Sequence, residues 1–401
     1  MVTKRGLPRS CHNRPARGAG QSAFSRFAEL LFPMTDHRFI LPLAAAFAGL
    51  ALGAAPLSLQ AQTPPPAQAE PAPIPPPPSA QQAPELPAVQ PENPKPPETG
   101  IFSLVVENDL FYDTDRRYTS GVRASYMTAK GDEPDWLRAA AVELPMFNWH
   151  SDIRVEYALG QSMFTATDKL QRNPPQGDRP YAGWLYGSVG LVARTNNILD
   201  QMLVSIGMVG PASGAHESQD FIHSIVNSPE AQGWDTQLKN EPTLQLTYQR
   251  SWQSPEFRLP AGFGIDATPH MGAALGNVYT YANTGAMLRF GQNLPVDFGP
   301  PRVQPSLPGS GYFERAPGGF GWYLFGGVDG RAVAHNIFLD GNTFKSSRSV
   351  EKENFVGDAQ FGLAVVIEGV RLAYTHVLRT REYEGQDASD QFGAFSVSLK
   401  F

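Results

Sequence analysis

The chain closes on Phe395-Ser396-Val397-Ser398-Leu399-Lys400-Phe401, in which Phe, Val, Leu and Phe alternate with Ser, Ser and Lys. A strand sends successive side chains to opposite faces, so this segment has one apolar face and one polar face, and both are specified. Two surroundings satisfy it: a water-soluble sandwich with an apolar core, or a barrel with lipid outside and a polar lumen.

Working back from that strand separates the two. Segments of eight to about fourteen residues that alternate and carry aromatic residues or glycine recur throughout the region after Gly100, with no sustained helical period except in short connections. They fall at 102–109, 119–128, 153–163, 182–194, 200–209, 243–252, 261–273, 278–290, 319–335, 353–367, 370–380 and 389–401. Twelve is an even number, and weak alternating segments with interfacial aromatics are the signature of a transmembrane antiparallel β-barrel. An alternating last strand that ends on an aromatic residue fits the same class. The competing reading is a periplasmic all-β protein of similar strand count. With both termini inside, odd-numbered connections face outward, and the short links Thr195-Asn196-Asn197-Ile198 and Glu368-Gly369 fall on the inner side, as tight turns should. Links 129–152 and 291–318 are long yet also fall inside, which the sequence reading assigns to misplaced strand boundaries.

Composition bounds the rest. Over 401 residues the net charge is −6, charged residues make up 17%, and there is a single cysteine, Cys11. A strongly basic nucleic-acid binder, a disulfide scaffold and a cysteine-based zinc site are excluded. A mean hydropathy of −0.28 argues against a polytopic helical membrane protein. From Met34, MTDHRF precedes ILPLAAAFAGLALGAAPLSLQAQ, which reads as a signal peptide cleaved after Ala61; the apolar run from Phe39 to Leu52 is too short to span a membrane. Residues 1–33 are read as an upstream extension, with Met34 as the expected start. Cleavage removes seven basic and two acidic residues, leaving 25 basic against 36 acidic, a cysteine-free chain of net charge −11. Residues 62–100 hold fifteen prolines and almost nothing large and apolar, so they are expected to form an extended disordered linker. The expected organisation is therefore 1–61 extension and signal peptide, 62–100 proline-rich linker, and 101–401 barrel.

Barrel parity gathers the unusual polar clusters on the outer rim. The first outward connection carries Glu107-Asn108-Asp109 and Tyr118-Thr119-Ser120-Gly121, the second Gly177 to Trp184, and the third Gly210 to Leu238. Within the third, 217–228 has the best helical period, with Phe221, Ile222, Ile225 and Val226 on one face and Gln219, His223 and Asn227 on another, and Pro229 stops it. The apolar face is expected to lie against the barrel. Asn108, Asp109 and Thr119 supply hard oxygen ligands of the kind Ca²⁺ prefers, provided the first strand ends or bulges at Asn108-Asp109. With His223 nearby, such a site suits ester hydrolysis: the cation polarises the carbonyl and neutral imidazole takes the proton of water. Glu230 and Glu217 are both candidates for the acid beside His223. No G-x-S-x-G elbow, H-E-x-x-H or P-loop occurs.

These stretches resemble the outer-membrane lipid A 3-O-deacylase family. The similarity lies in ENDLFYDTDRRYTSGVR at 107–123, GDRPYAGWLY at 177–186, GPASGAHESQDFIH at 210–223, QGWDTQLKNEP at 232–242 and NLPVDFGP at 293–300, in the family's order. The resemblance implies a twelve-stranded barrel whose site lies between the wall and a loop helix facing the cell exterior. It also implies Ca²⁺-dependent removal of the 3'-linked acyloxyacyl chain of lipid A. Carried over residue by residue, Asn108, Asp109 and Thr119 form the Ca²⁺ and oxyanion side, and His223 is the base. The family's acid follows the histidine by about six residues; here that position is Pro229, with Glu230 one later. Lys169 is the candidate for the family's basic residue between the second and third strands.

The leading expectation is thus a Ca²⁺-dependent acyl-ester hydrolase of the outer membrane acting on lipid A or another outer-leaflet lipid. A phospholipase-type hydrolase and a non-catalytic structural or binding barrel are the alternatives. The proline-rich arm is expected to touch the cell-wall layer. Asp178, Arg179 and Tyr181 are read as structural, because a buried Asp–Arg pair beside a strand start more often holds a fold together than does chemistry.

Overall fold

The computed structural model describes residues 100–108, 118–144, 147, 151–226, 229–303 and 309–401, with the backbone alone at 118, 119, 142, 225 and 226. The signal peptide and the proline-rich linker lie outside the described residues, as does Asp109. The terminal strand behaves as its alternation predicts: Phe395 and Leu399 are exposed, while Ser396 and Ser398 are buried in the lumen. There Ser398 Oγ accepts hydrogen bonds from Ser103 and Arg371.

Twelve antiparallel barrel strands are present among the described residues. They are β1 (Ile101–Asn108), β2 (Tyr118–Met127), β3 (Asp152–Phe164), β4 (Ala182–Thr195), β5 (Ile198–Val209) and β6 (Glu241–Trp252). After them come β7 (Phe263–Gly276), β8 (Tyr279–Gln292), β9 (Phe320–Asn336), β10 (Phe355–Ile367), β11 (Val370–Arg379) and β12 (Asp390–Lys400). Each pairs with its sequence neighbours, and β1 also pairs with β12, from Ile101↔Lys400 to Asn108↔Gly393, which closes the sheet. The ribbon Phe257–Arg258 pairs only with the start of β7. All expected segments are found, with boundaries within about three residues.

Leu159, Val189, Ile206, Leu244, Leu275 and Leu324 stand exposed on the outer surface. Such a band is costly in water and suited to lipid. The lumen is the opposite, a lattice of paired charges: Arg123 with Glu156 at 3.1 Å, Arg302 with Glu107 at 2.7 Å, Arg371 with Asp297 at 2.9 Å, and Arg379 with Asp358 at 2.8 Å. Pairing of this kind is what makes a buried charge tolerable.

The two long inner connections are real, and the strand boundaries were not at fault. The segment after β8 folds back into the lumen at the end where the termini lie, burying Phe298, Val303, Tyr312, Phe313 and Ala316. Asp297 accepts from Tyr323 and Arg371, so the link is long because it is a plug. The link after β2 carries helix α1 (Asp135–Val142); its Leu137 and Ala141, with Leu144 beyond its end, pack on Ile153, Val155, Leu191 and Ala193 of β3 and β4. At the far end the lumen is filled by aromatic rings. Phe164 stacks on Phe338 at 4.1 Å and Trp184 on Tyr186 at 4.0 Å.

Candidate functional site

Strand alternation separates the two ends of the Glu107-Asn108 pair. Glu107 points into the lumen, where its carboxylate accepts from Arg302 and from the backbone N–H of Val303, both in the plug. Asn108, the last residue of β1, follows Phe102, Leu104 and Val106 on the outer face. Asn108 is the last described residue of the strand. The β2–β3 register shifts between Tyr118 and Ser120, and the side chain of Thr119 lies outside the described residues.

Pairing then draws a row across the outer face at the far end of the barrel. Asn108 is opposite Ser120, Ser120 opposite Met163, and Met163 opposite Gly183. Neighbours on the same face such as Leu104, Tyr126, Leu159 and Leu185 are exposed, yet these four are buried, and the third far-end connection lies over part of the row. Gly183 makes this possible: a Cβ there would fall 2.2 Å from Ala215 Cβ and from Ser213 Oγ. The Gln161 amide anchors the same loop by donating to the Ser213 carbonyl at 2.7 Å.

From Ala215 the loop becomes helix α2 (Ala215–Val226). The orientation of α2 differs from the sequence expectation. Phe221 is 68% exposed, whereas Gln219 and His223 are buried and Ile222 is only partly buried, against Met163, Ala166, Tyr181 and Trp234. The polar face turns inward because it has a partner there: Trp234 Nε1 donates to Gln219 Oε1 at 2.8 Å, and Tyr181 packs edge-on against Trp234. A lipid surround removes the penalty for leaving Phe221 outside.

His223 is 2% exposed. Burial lowers its pKa below the ordinary 6.5, and the positive charge of Lys169 lowers it further, whereas Asp220, a backbone hydrogen bond at Pro229 and Glu230 act in the opposite direction. Its neutral, proton-accepting form is thus favoured at neutral pH. Lys169 is held close by its own loop, where its carbonyl accepts from Tyr181 Oη and from the backbone N–H of Gln232. Of the sequence-derived site, the structure brings Glu230 and Lys169 each into electrostatic reach of His223, and places Asn108 on the outer face of the wall. Glu217 is exposed on α2 and does not feature among the charges acting on His223.

Sequence reasoning missed Ser120. It is 2% exposed, and its hydroxyl has no hydrogen-bond partner among the described residues. Its only sequence signal was its place beside Thr119. The donors of Asn108 and Ser120 are oxygens, which suits a hard cation such as Ca²⁺. Among the described residues no three His, Cys, Asp or Glu side chains gather as a metal cluster. Asp178, Arg179 and Tyr181 hold the loops. Asp178 accepts from Thr167 and Tyr383, and Arg179 bridges to Glu382 at 3.0 Å. Burial would raise the Glu382 carboxyl, but Arg179, Arg379 and Arg331 pull it down to about 2. A shallow groove lined by Asn283, Arg331, Phe355 and Thr380 lies across β8–β11, and His223 is not part of its lining.

The fold is an outer-membrane type of barrel with a loop helix seated on the outside of its wall and a buried histidine on that helix. Residues 65–401 match the family model of the outer membrane protein LpxR, and the chain belongs to that family. The barrel is similar to the solved structure of LpxR from Salmonella typhimurium, at 18% identity and a TM-score of 0.60, covering 75% of this chain and 100% of that one. The β domain of the Bordetella autotransporter BrkA aligns over 76% of this chain and 99% of its own, at 9% identity and a TM-score of 0.38. No match to a curated protein is found.

Proposed function

We propose that this protein is a Ca²⁺-dependent acyl-ester hydrolase of the outer membrane that removes the 3'-linked acyloxyacyl chain of lipid A. The observation that carries the reading is the burial of His223 between a loop helix and the outer face of the wall, on the side where Asn108 ends β1. A group placed there meets lipid from the bilayer side. Entry through the lumen is unsuited to such a substrate, because the lumen is filled by the plug and by paired charges.

Asn108, Asp109 and Thr119 would hold the cation, which supplies polarisation of the acyl carbonyl and stabilisation of its oxyanion. His223, neutral at pH 7, accepts a proton from water as the water oxygen attacks the acyl carbon, and the ring then returns that proton to the leaving sugar oxygen. Glu230 raises the basicity of the ring and Lys169 restrains it. Gln219, fixed by Trp234, keeps the α2 face that carries His223 turned toward the wall.

The test is mass spectrometry of lipid A from outer membranes carrying the protein, with Ca²⁺, with chelator, and with His223→Ala. Loss of one acyloxyacyl unit is expected only for wild type with Ca²⁺, and His223→Ala should reduce the rate by ~10²–10⁴-fold. Unchanged lipid A from folded, inserted wild type would refute the substrate, and activity surviving in His223→Ala would remove the base.

A further inference from the structure

Ser120 is a polar side chain on the face of the barrel where apolar ones belong. Along β2 the outer-face residues toward the terminal end are Val122, Ala124 and Tyr126, which pair with Val106, Leu104 and Phe102 of β1. The series then changes character at the far end, where Asn108 faces Ser120. Both residues are buried, and among the described residues the Ser120 hydroxyl meets no hydrogen-bonding group. Leaving a buried hydroxyl unsatisfied costs about 1–3 kcal/mol, and alanine would avoid that cost in the same space. A partner from outside the chain resolves the conflict.

The position says what kind of partner. Directly opposed residues on one face of an antiparallel pair have Cβ atoms roughly 5 Å apart, so the side-chain oxygens of Asn108 and Ser120 can converge on one point. A Ca²⁺ ion takes 6–8 oxygens, and Ser120 presents one of them beside the amide oxygen of Asn108.

We propose that Ser120 Oγ is a further ligand of the divalent cation site at the end of β1, acting with Asn108 across the β1–β2 pair. The inference rests on the cation site of the proposed function but not on the identity of the lipid. It makes Ser120 a binding residue whose loss is read directly in cation affinity.

The experiment is calorimetric titration of the purified full-length barrel in detergent micelles with CaCl₂, comparing wild type, Ser120→Ala, Ser120→Thr and Ser120→Val. Thr and Val match in volume and differ in the hydroxyl, so they control for packing, and heat-dependent gel mobility confirms that each barrel is folded. The Ca²⁺ dissociation constant is expected to rise at least tenfold in the Ala and Val variants and to stay within threefold of wild type in Thr. Equal affinity in all four would overturn the assignment. So would wild type that binds no Ca²⁺, a result that also removes the cation from the proposed function. Hydroxyl-dependent Ca²⁺ binding by a protein that leaves lipid A untouched would sustain the ligand assignment and sink only the substrate.

Discussion

At the scale of single residues, the chemistry of His223 is set by charges brought from elsewhere in the chain. Burial and Lys169 disfavour the imidazolium, while Asp220 and Glu230 favour it. The proposed mechanism needs His223 neutral, so under it hydrolysis should fall as pH drops through the His223 pKa, which is lowered from 6.5. Lys169→Met removes a charge that lowers that pKa, so the acid limb of the rate profile should move to higher pH. Glu230→Gln removes a charge that raises it and should move the limb to lower pH. Initial rates from pH 4.5 to 8, together with NMR titration of the His223 ring, decide the matter; limbs that coincide with wild type would dissociate both residues from the base. Glu107 and Asn108 show how much one residue step means: adjacent in sequence, one holds the plug and the other faces the lipid side.

At the scale of elements, the working part is the seat of α2 on β3 and β4. The helix stays on the wall because Gly183 lets Ala215 and Ser213 approach the backbone, and because Trp234 binds Gln219. Gly183→Ala should lift the helix while leaving the twelve strands paired. Overpacking of this kind costs about 1–3 kcal/mol locally, and a displacement of about 1 Å at the base costs up to ~10²-fold in rate. Heat-dependent gel mobility should be unchanged while protease cleavage within 210–240 accelerates. An Ala variant with wild-type rate and wild-type protease resistance would show that the contact is dispensable. The periodicity of 217–228 located the helix, but it could not orient it, because the apolar stripe that faces a core in water has a second home in lipid.

At the scale of the whole molecule, the barrel is held by charges inside as much as by apolar surface outside. The plug meets the strands through Asp297, bonded to Arg371 and Tyr323, and through Arg302, bonded to Glu107. Asp297→Asn leaves the Arg371 guanidinium buried without its anionic partner, a loss worth about 3–5 kcal/mol. The temperature at which the folded band disappears on gels should fall markedly, and an unchanged midpoint would show that the plug is not coupled to barrel stability. The sequence by itself determined the strand count, the boundaries and which face of each strand meets lipid, because alternation is a local property of the chain. It also put His223 and Asn108 at outward connections, because unusual polar residues cluster there. The inward turn of Gln219 and His223, the nature of the long inner links and the orphaned hydroxyl of Ser120 were decided only by tertiary structure. Each depends on what lies opposite a side chain across the sheet or over the wall, and register and loop packing supply that partner.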